Sequence, residues 1–139
     1  MGVSEQRGLE MVKGAPSSTV HYVYVASKCD DPNPAVYEKN CVEALKVGIE
    51  LVKKGYVPFI PHMALHGCYQ FGLTRQDALL VGLLWLMRCD ALFYHVSSPG
   101  TDGELKIAKE LGMPIFDSLD EVPDSKYLDI WKGLVVDEK

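Results

Sequence analysis

The segment Ser97-Ser98-Pro99-Gly100-Thr101-Asp102-Gly103-Glu104 concentrates the chemistry of this chain. Small residues let backbone N–H groups approach a ligand, and the start of a following helix favours an anion. The hydroxyls of Ser97, Ser98 and Thr101 add hydrogen-bonding capacity, so a phosphate or carboxylate is the natural guest. Glu104 is the more specific candidate. A carboxylate held beside a sugar's anomeric carbon can attack it, or stabilise the cationic character that develops as the leaving group departs. A second group must then protonate or hydrogen-bond that leaving group. The same residues also read as an ordinary capped turn, with Asp102 as the cap and Glu104 in the first helical turn.

Other residues offer chemistry more weakly. His62, His66 and Cys68 give H-x-x-x-H-x-C, with Cys89 as a fourth zinc-type ligand. Pro61 and Gly67 place that pattern in a loop, and its spacing is looser than paired zinc motifs, so no metal or other cofactor is expected. Tyr22 and Tyr24 alternate with valines. Sheet packing is the reading for Tyr22, whereas Tyr24 can also stack on a base. Asp30 and Asp31 either solvate a loop or bind ribose hydroxyls. The turn Ala26-Ser27-Lys28-Cys29-Asp30-Asp31 lacks G-x-G-x-x-G, and no P-loop occurs. Ala35 stands where a Cys-x5-Arg phosphatase starting at Cys29 needs arginine.

These residues must be held by regular elements. His21–Ala26 is rich in β-branched and aromatic residues and reads as a first strand. Asn33-Pro34 starts a helix, and Tyr37, Cys41, Ala44, Leu45, Gly48, Leu51 and Val52 recur at helical spacing until Lys53-Lys54-Gly55. Tyr56–Ile60 is a second strand, followed by a loop from Pro61 to Gly72. Thr74-Arg75-Gln76-Asp77 caps a helix reaching about Arg88. Ala91–Val96 is a third strand, a helix runs from about Asp102 to Leu111, and Met113–Phe116 is a fourth strand. A short amphipathic piece is expected around Tyr127–Leu134. Strands alternating with helices imply an α/β fold: three layers with a doubly wound, mostly parallel sheet of four or five strands, flavodoxin- or Rossmann-like. Ligands of such sheets bind beyond the carboxyl ends of the strands. Residues 1–19 read as a flexible lead-in, and 20–135 as one domain.

Composition agrees with a soluble globular chain. Of 139 residues, 47% are apolar and 24% charged, and the net charge is −5. The scattered Lys and Arg argue against a nucleic-acid partner. The uncharged run Ala78–Met87 is too short to span a bilayer, so no membrane partner is expected. No secretory signal is evident at the N-terminus. Cysteines 29, 41, 68 and 89 form no C-x-x-C pair and read as free thiols of a cytoplasmic protein.

The stretch Ser98–Glu104, continued by Leu105, Ala108, Leu111-Gly112 and Pro114-Ile115, resembles the nucleoside 2-deoxyribosyltransferase-like superfamily, which includes 2'-deoxynucleoside 5'-monophosphate N-glycosidases. The resemblance extends to Tyr24–Ser27, Asn40–Ala44, Gly55–Pro58, Pro61-His62 and Leu86–Asp90, and so covers about residues 22–116. It implies that Glu104 is the nucleophile, and that Ser98 and Gly100 contact phosphate or sugar. It also puts Ser27 in the first ligand-binding loop and makes His62 a ligand-site residue. The implied reaction is cleavage or transfer at the N-glycosidic bond of a nucleoside or nucleoside 5'-monophosphate. The implied assembly is a homo-oligomer whose neighbouring subunits help close the site.

One position departs from the pattern. Members of the resembled superfamily usually carry Asp eight residues before the Asp that precedes strand three, where this chain has Gly82. Asp77 is no easy substitute: five residues on a helix turn about 140° round the axis. Asp102, His62 and Tyr24 are the stand-ins for the leaving-group acid. Two classes therefore stay open, a glycosyl-transferring or hydrolysing enzyme and a catalytically silent nucleotide-binding module. The helix around Gly82 is apolar nearly all round, which predicts a homodimer seam through 74–88 with Gly82 permitting close approach.

Overall fold

The computed structural model describes residues 21–28, 31–62, 72–125 and 128. The lead-in 1–19, Asp30, His66, Cys68 and most of the amphipathic piece at 127–134 lie outside those residues.

The strands are β1 (Tyr22–Ala26), β2 (Val57–Phe59), β3 (Ala91–Tyr94) and β4 (Ile115–Phe116). The helices are α1 (Pro34–Lys53), α2 (Arg75–Leu86) and α3 (Pro99–Glu110), followed by a 3-10 turn at Leu119–Glu121. All the strand pairs are parallel, and the spatial order is β2-β1-β3-β4. This is the expected three-layer, doubly wound Rossmann-like arrangement. The chain moves one way from β1 to β2 and the other way from β2 through β3 to β4. Right-handed crossovers then put α1 on one face and α2 and α3 on the other.

The alternation of side chains along each strand builds two cores. Val23, Val25 and Phe93 face α1, where Ala44, Val47 and Leu51 complete one cluster. Tyr24, Ala26 and Leu92 face the other way, where Leu86 of α2 and Ala108 of α3 complete the second. Tyr22, expected to pack in the sheet, is instead 50% exposed at the start of β1.

The helix ends follow local chemistry. Asn33 caps α1 by accepting from the Ala35 amide, with Pro34 at the first position. Lys54 and then Gly55, at φ 92°, end it in the left-handed region that glycine adopts without strain. Thr74 and Asp77 form a reciprocal capping box on α2, so Asp77 is the capping acid its position suggests. Asp90 accepts from the amides of His21 and Tyr22 at 2.9 and 2.8 Å, fastening the entry of β1 to that of β3.

Two expectations need correction. First, α3 begins at Pro99 and not near Asp102, because Ser98 outcompetes Asp102 as the cap: its side chain accepts from the Thr101 amide. Second, Gly82 does not lie on an outward seam. It is on the buried face of α2 with Ala78 and Leu86, and a Cβ built there would sit 3.0 Å from the Tyr24 hydroxyl.

Candidate functional site

The strand order reverses direction between β1 and β3, and the crevice beyond their carboxyl ends is where a doubly wound sheet binds ligands. Ser27 follows β1 directly and His95 follows β3 directly. Their side chains meet across that switch point, Ser27 Oγ to His95 Nδ1 at 2.9 Å. Beside them opens a cavity of about 780 Å³. Tyr24, Ser27, His62, Ser98, Gly100 and Glu104 all line it. Six residues chosen from the sequence thus converge on one space.

Glu104 lies in the second turn of α3, past the reach of first-turn dipole stabilisation. Burial pushes its carboxyl up to about 7, and a hydrogen bond from the Tyr24 hydroxyl pulls the other way. A first-turn capping acid would show the opposite shift, so the capped-turn reading of Glu104 fails here. Tyr24 itself is 2% exposed. Its ring packs against Phe59 at 5.5 Å, and Phe59 stacks on Trp85 at 4.6 Å. The ring is thus held in the core by Phe59, and its hydroxyl lies next to Gly82 and Glu104 at the cavity. The space left by the glycine at position 82 lies against this hydroxyl.

Asp102 does not join the others. It accepts from the Tyr94 hydroxyl at 2.6 Å and the Ser97 hydroxyl at 3.0 Å, which hold its carboxyl below the usual range. It clamps the strand-to-helix loop from outside and is absent from the cavity lining. Most of the loop's hydroxyls are also spoken for. Thr101 donates to the Val96 carbonyl at 2.6 Å. Ser98 Oγ, 2.9 Å from Thr101 Oγ1, must therefore be the donor of that pair, while it accepts from the Thr101 amide. Gly100, at the second helical position, has no carbonyl four residues back inside the helix, so its N–H is the loop group suited to a ligand. The loop therefore presents backbone rather than a row of hydroxyls.

His62 is 3% exposed. Its Nε2 donates to the Lys28 carbonyl at 2.7 Å, tying the loop after β2 to the loop after β1. Asp31 accepts from the Asn33 amide in a turn. Of the zinc-type set, His66 and Cys68 lie outside the described residues; among the described residues no three His, Cys, Asp or Glu side chains group as metal ligands. Cys89 is a half-buried thiol that burial pushes up to about 11, which makes it a poor nucleophile.

Three cations also border the cavity: Lys28, Arg75 and Lys106. They come from the β1 loop, the start of α2 and the second turn of α3. The sequence shows them as scattered surface charges, and only the fold brings them together. An acidic chain thereby acquires a cavity wall that carries three positive charges and one carboxyl group of raised pKa. Such a wall suits a ligand with an anionic end and a reactive carbon.

Neither curated proteins nor solved structures give a significant match. A family model described as a domain of unknown function, DUF7768, matches residues 21–118, which includes all four strands and the whole cavity wall described above. The chain belongs to the DUF7768 family.

Proposed function

We propose that the chain cleaves or transfers the N-glycosidic bond of a nucleoside 5'-monophosphate or nucleoside, with Glu104 as nucleophile. The observation that carries this is the Glu104 carboxyl, partly buried in the cavity wall at the switch point and hydrogen-bonded by Tyr24. Its ionised oxygen attacks C1' of the pentose as the bond to the base breaks, giving a glycosyl ester on Glu104. The departing base takes a proton. Of the three stand-ins, Tyr24 is the one beside the nucleophile: its phenolic proton, donated to Glu104 at rest, passes to the base as Glu104 bonds to C1', and the phenolate recovers a proton from the water or base that attacks next. Asp102 is turned away and the Nε2 proton of His62 is given to the Lys28 carbonyl. Water or a second base then attacks C1' and frees the carboxylate. Lys28, Arg75, Lys106 and the Gly100 amide favour a phosphate on the substrate.

Gly82 supports a second reading, a nucleotide-binding module without turnover, because the acid that the resembled superfamily carries there is missing. One panel separates the two. The protein is incubated with nucleosides and their 5'-monophosphates, following free base and melting temperature. Base released by wild type, at least a thousandfold more slowly by Glu104→Gln, is the expected result. A raised melting temperature without base supports the binding module. Replacing Lys106 by Ala should weaken monophosphate binding about tenfold and leave nucleoside binding nearly unchanged.

A homodimer through α2 also belongs to this proposal. Leu80, Leu84 and Met87 are each more than half exposed on the side away from the sheet. A second copy covers such a stripe most economically through two-fold symmetry. Light scattering at micromolar concentration should give twice the chain mass, and Leu84→Glu should give the monomer. No helix among the described residues is long and apolar enough to cross a membrane. The free thiols of Cys41 and Cys89 fit a cytoplasmic setting.

A further inference from the structure

The contact between Ser27 and His95 is left unused by the mechanism above. Ser27 is 8% exposed, with one side on the cavity and the other on the imidazole. A hydroxyl has one proton to give. If His95 Nδ1 is bare, that proton goes to the ring and the cavity sees only oxygen lone pairs. If Nδ1 carries hydrogen, the ring donates to Oγ and the Ser27 proton is free to point into the cavity. The His95 main chain is fixed by its own amide, which donates to the Ala26 carbonyl at 2.9 Å, so the ring stays at the end of β1 in either case.

The cavity's charges choose between the two. Lys28 directly follows Ser27, and Arg75 and Lys106 border the same space. A ligand drawn to those cations presents anionic oxygen. Such an oxygen is repelled by bare lone pairs on Ser27 and attracted by its proton. We propose that His95 is a positioning residue that sets the polarity of the Ser27 hydroxyl, turning it into a donor toward a phosphate oxygen of the ligand. This rests on the nucleotide reading above and adds to the cations a neutral donor that also favours phosphate-bearing ligands over plain nucleosides.

The test uses the full chain labelled with 15N-histidine, with the His95 resonances assigned by their loss in His95→Asn. Nucleoside 5'-monophosphates, the matching nucleosides and inorganic phosphate are added in turn. With a monophosphate, His95 Nδ1 should move into the N–H range in wild type but not in Ser27→Ala. Ser27→Ala and His95→Phe should each weaken monophosphate binding about tenfold relative to the nucleoside. His95→Asn, whose amide can place an N–H where Nδ1 stands, should restore binding to within about threefold of wild type. A monophosphate that binds while Nδ1 stays unmoved, or that binds His95→Phe as well as wild type, overturns the polarity assignment alone. If no nucleoside or nucleotide binds, the nucleotide reading itself fails and takes this assignment with it.

Discussion

Glu104 offers a measurement that needs no substrate. Burial raises its carboxyl from the ordinary 4.5 to about 7. Between those two values the native chain holds a proton that the unfolded chain has released. Stability therefore falls as pH rises through that window and is flat above it. At about 1.4 kcal/mol for each pH unit, the loss totals about 3 kcal/mol at most, trimmed by whatever solvent reaches the half-buried group. For 139 residues, an unfolding entropy of about 2.1 cal/mol/K per residue turns this into roughly 10 °C of melting temperature.

Glu104→Gln keeps the shape, keeps an oxygen to accept from Tyr24, and removes the charge. Thermal melts of both proteins at pH 5 and pH 8.5 isolate the effect, because every other titrating group is common to the two. At pH 5 the variant should melt close to wild type; at pH 8.5 it should melt higher by up to roughly 10 °C. The gain in stability should accompany loss of base release, since the same desolvation that penalises the charge makes an ionised Glu104 reactive. Parallel melting curves across the whole range would refute the burial of this carboxyl, and with it the case for Glu104 as nucleophile.

Two further perturbations test the surroundings of that carboxyl. Tyr24→Phe removes the hydrogen bond that favours ionised Glu104, so ionisation should move upward by about one to two pH units. The ring still packs on Phe59, so the fold should survive; the measurement is the same pair of melts, or the Glu104 carboxyl resonance followed by NMR. Gly82→Ala gains about 1 kcal/mol of helix propensity but places a methyl 3.0 Å from the Tyr24 oxygen. The melting temperature should change by only a few degrees, while base release or nucleotide binding drops about tenfold as Tyr24 is pushed off Glu104. An alanine that leaves function untouched would mean that the hydroxyl has room to spare and that Gly82 is not needed there.

The sequence made the scaffold legible because its signals are local. The cap at Asn33-Pro34, the Thr74–Asp77 box, the left-handed Gly55 and the β-branched runs each act within a few residues, and each did what its chemistry requires. Where two local signals competed, reading failed: Ser98 and Asp102 are both good caps four residues apart, and the Pro99 that suits a first helical position settled the matter for Ser98. That slip moved Glu104 from the first turn to the second, and so from the dipole's favour to a desolvated wall. The site's remaining features depend on distance in the fold. Ser27 and His95 are 68 residues apart in sequence, and Lys28, Arg75 and Lys106 belong to three different elements. No periodicity reveals that they converge; only the order β2-β1-β3-β4 does. Gly82 shows the same point most sharply. Its sequence context, an apolar run, suggested close approach between helices. Its place in the fold shows a close approach of another kind: the missing side chain leaves room for a tyrosine hydroxyl whose proton the carboxylate at 104 accepts. A position that seemed to lack a functional group instead admits one from the neighbouring strand. The chemistry of this cavity should therefore be sought in the Tyr24–Glu104 pair, whatever acid the resembled superfamily carries at position 82.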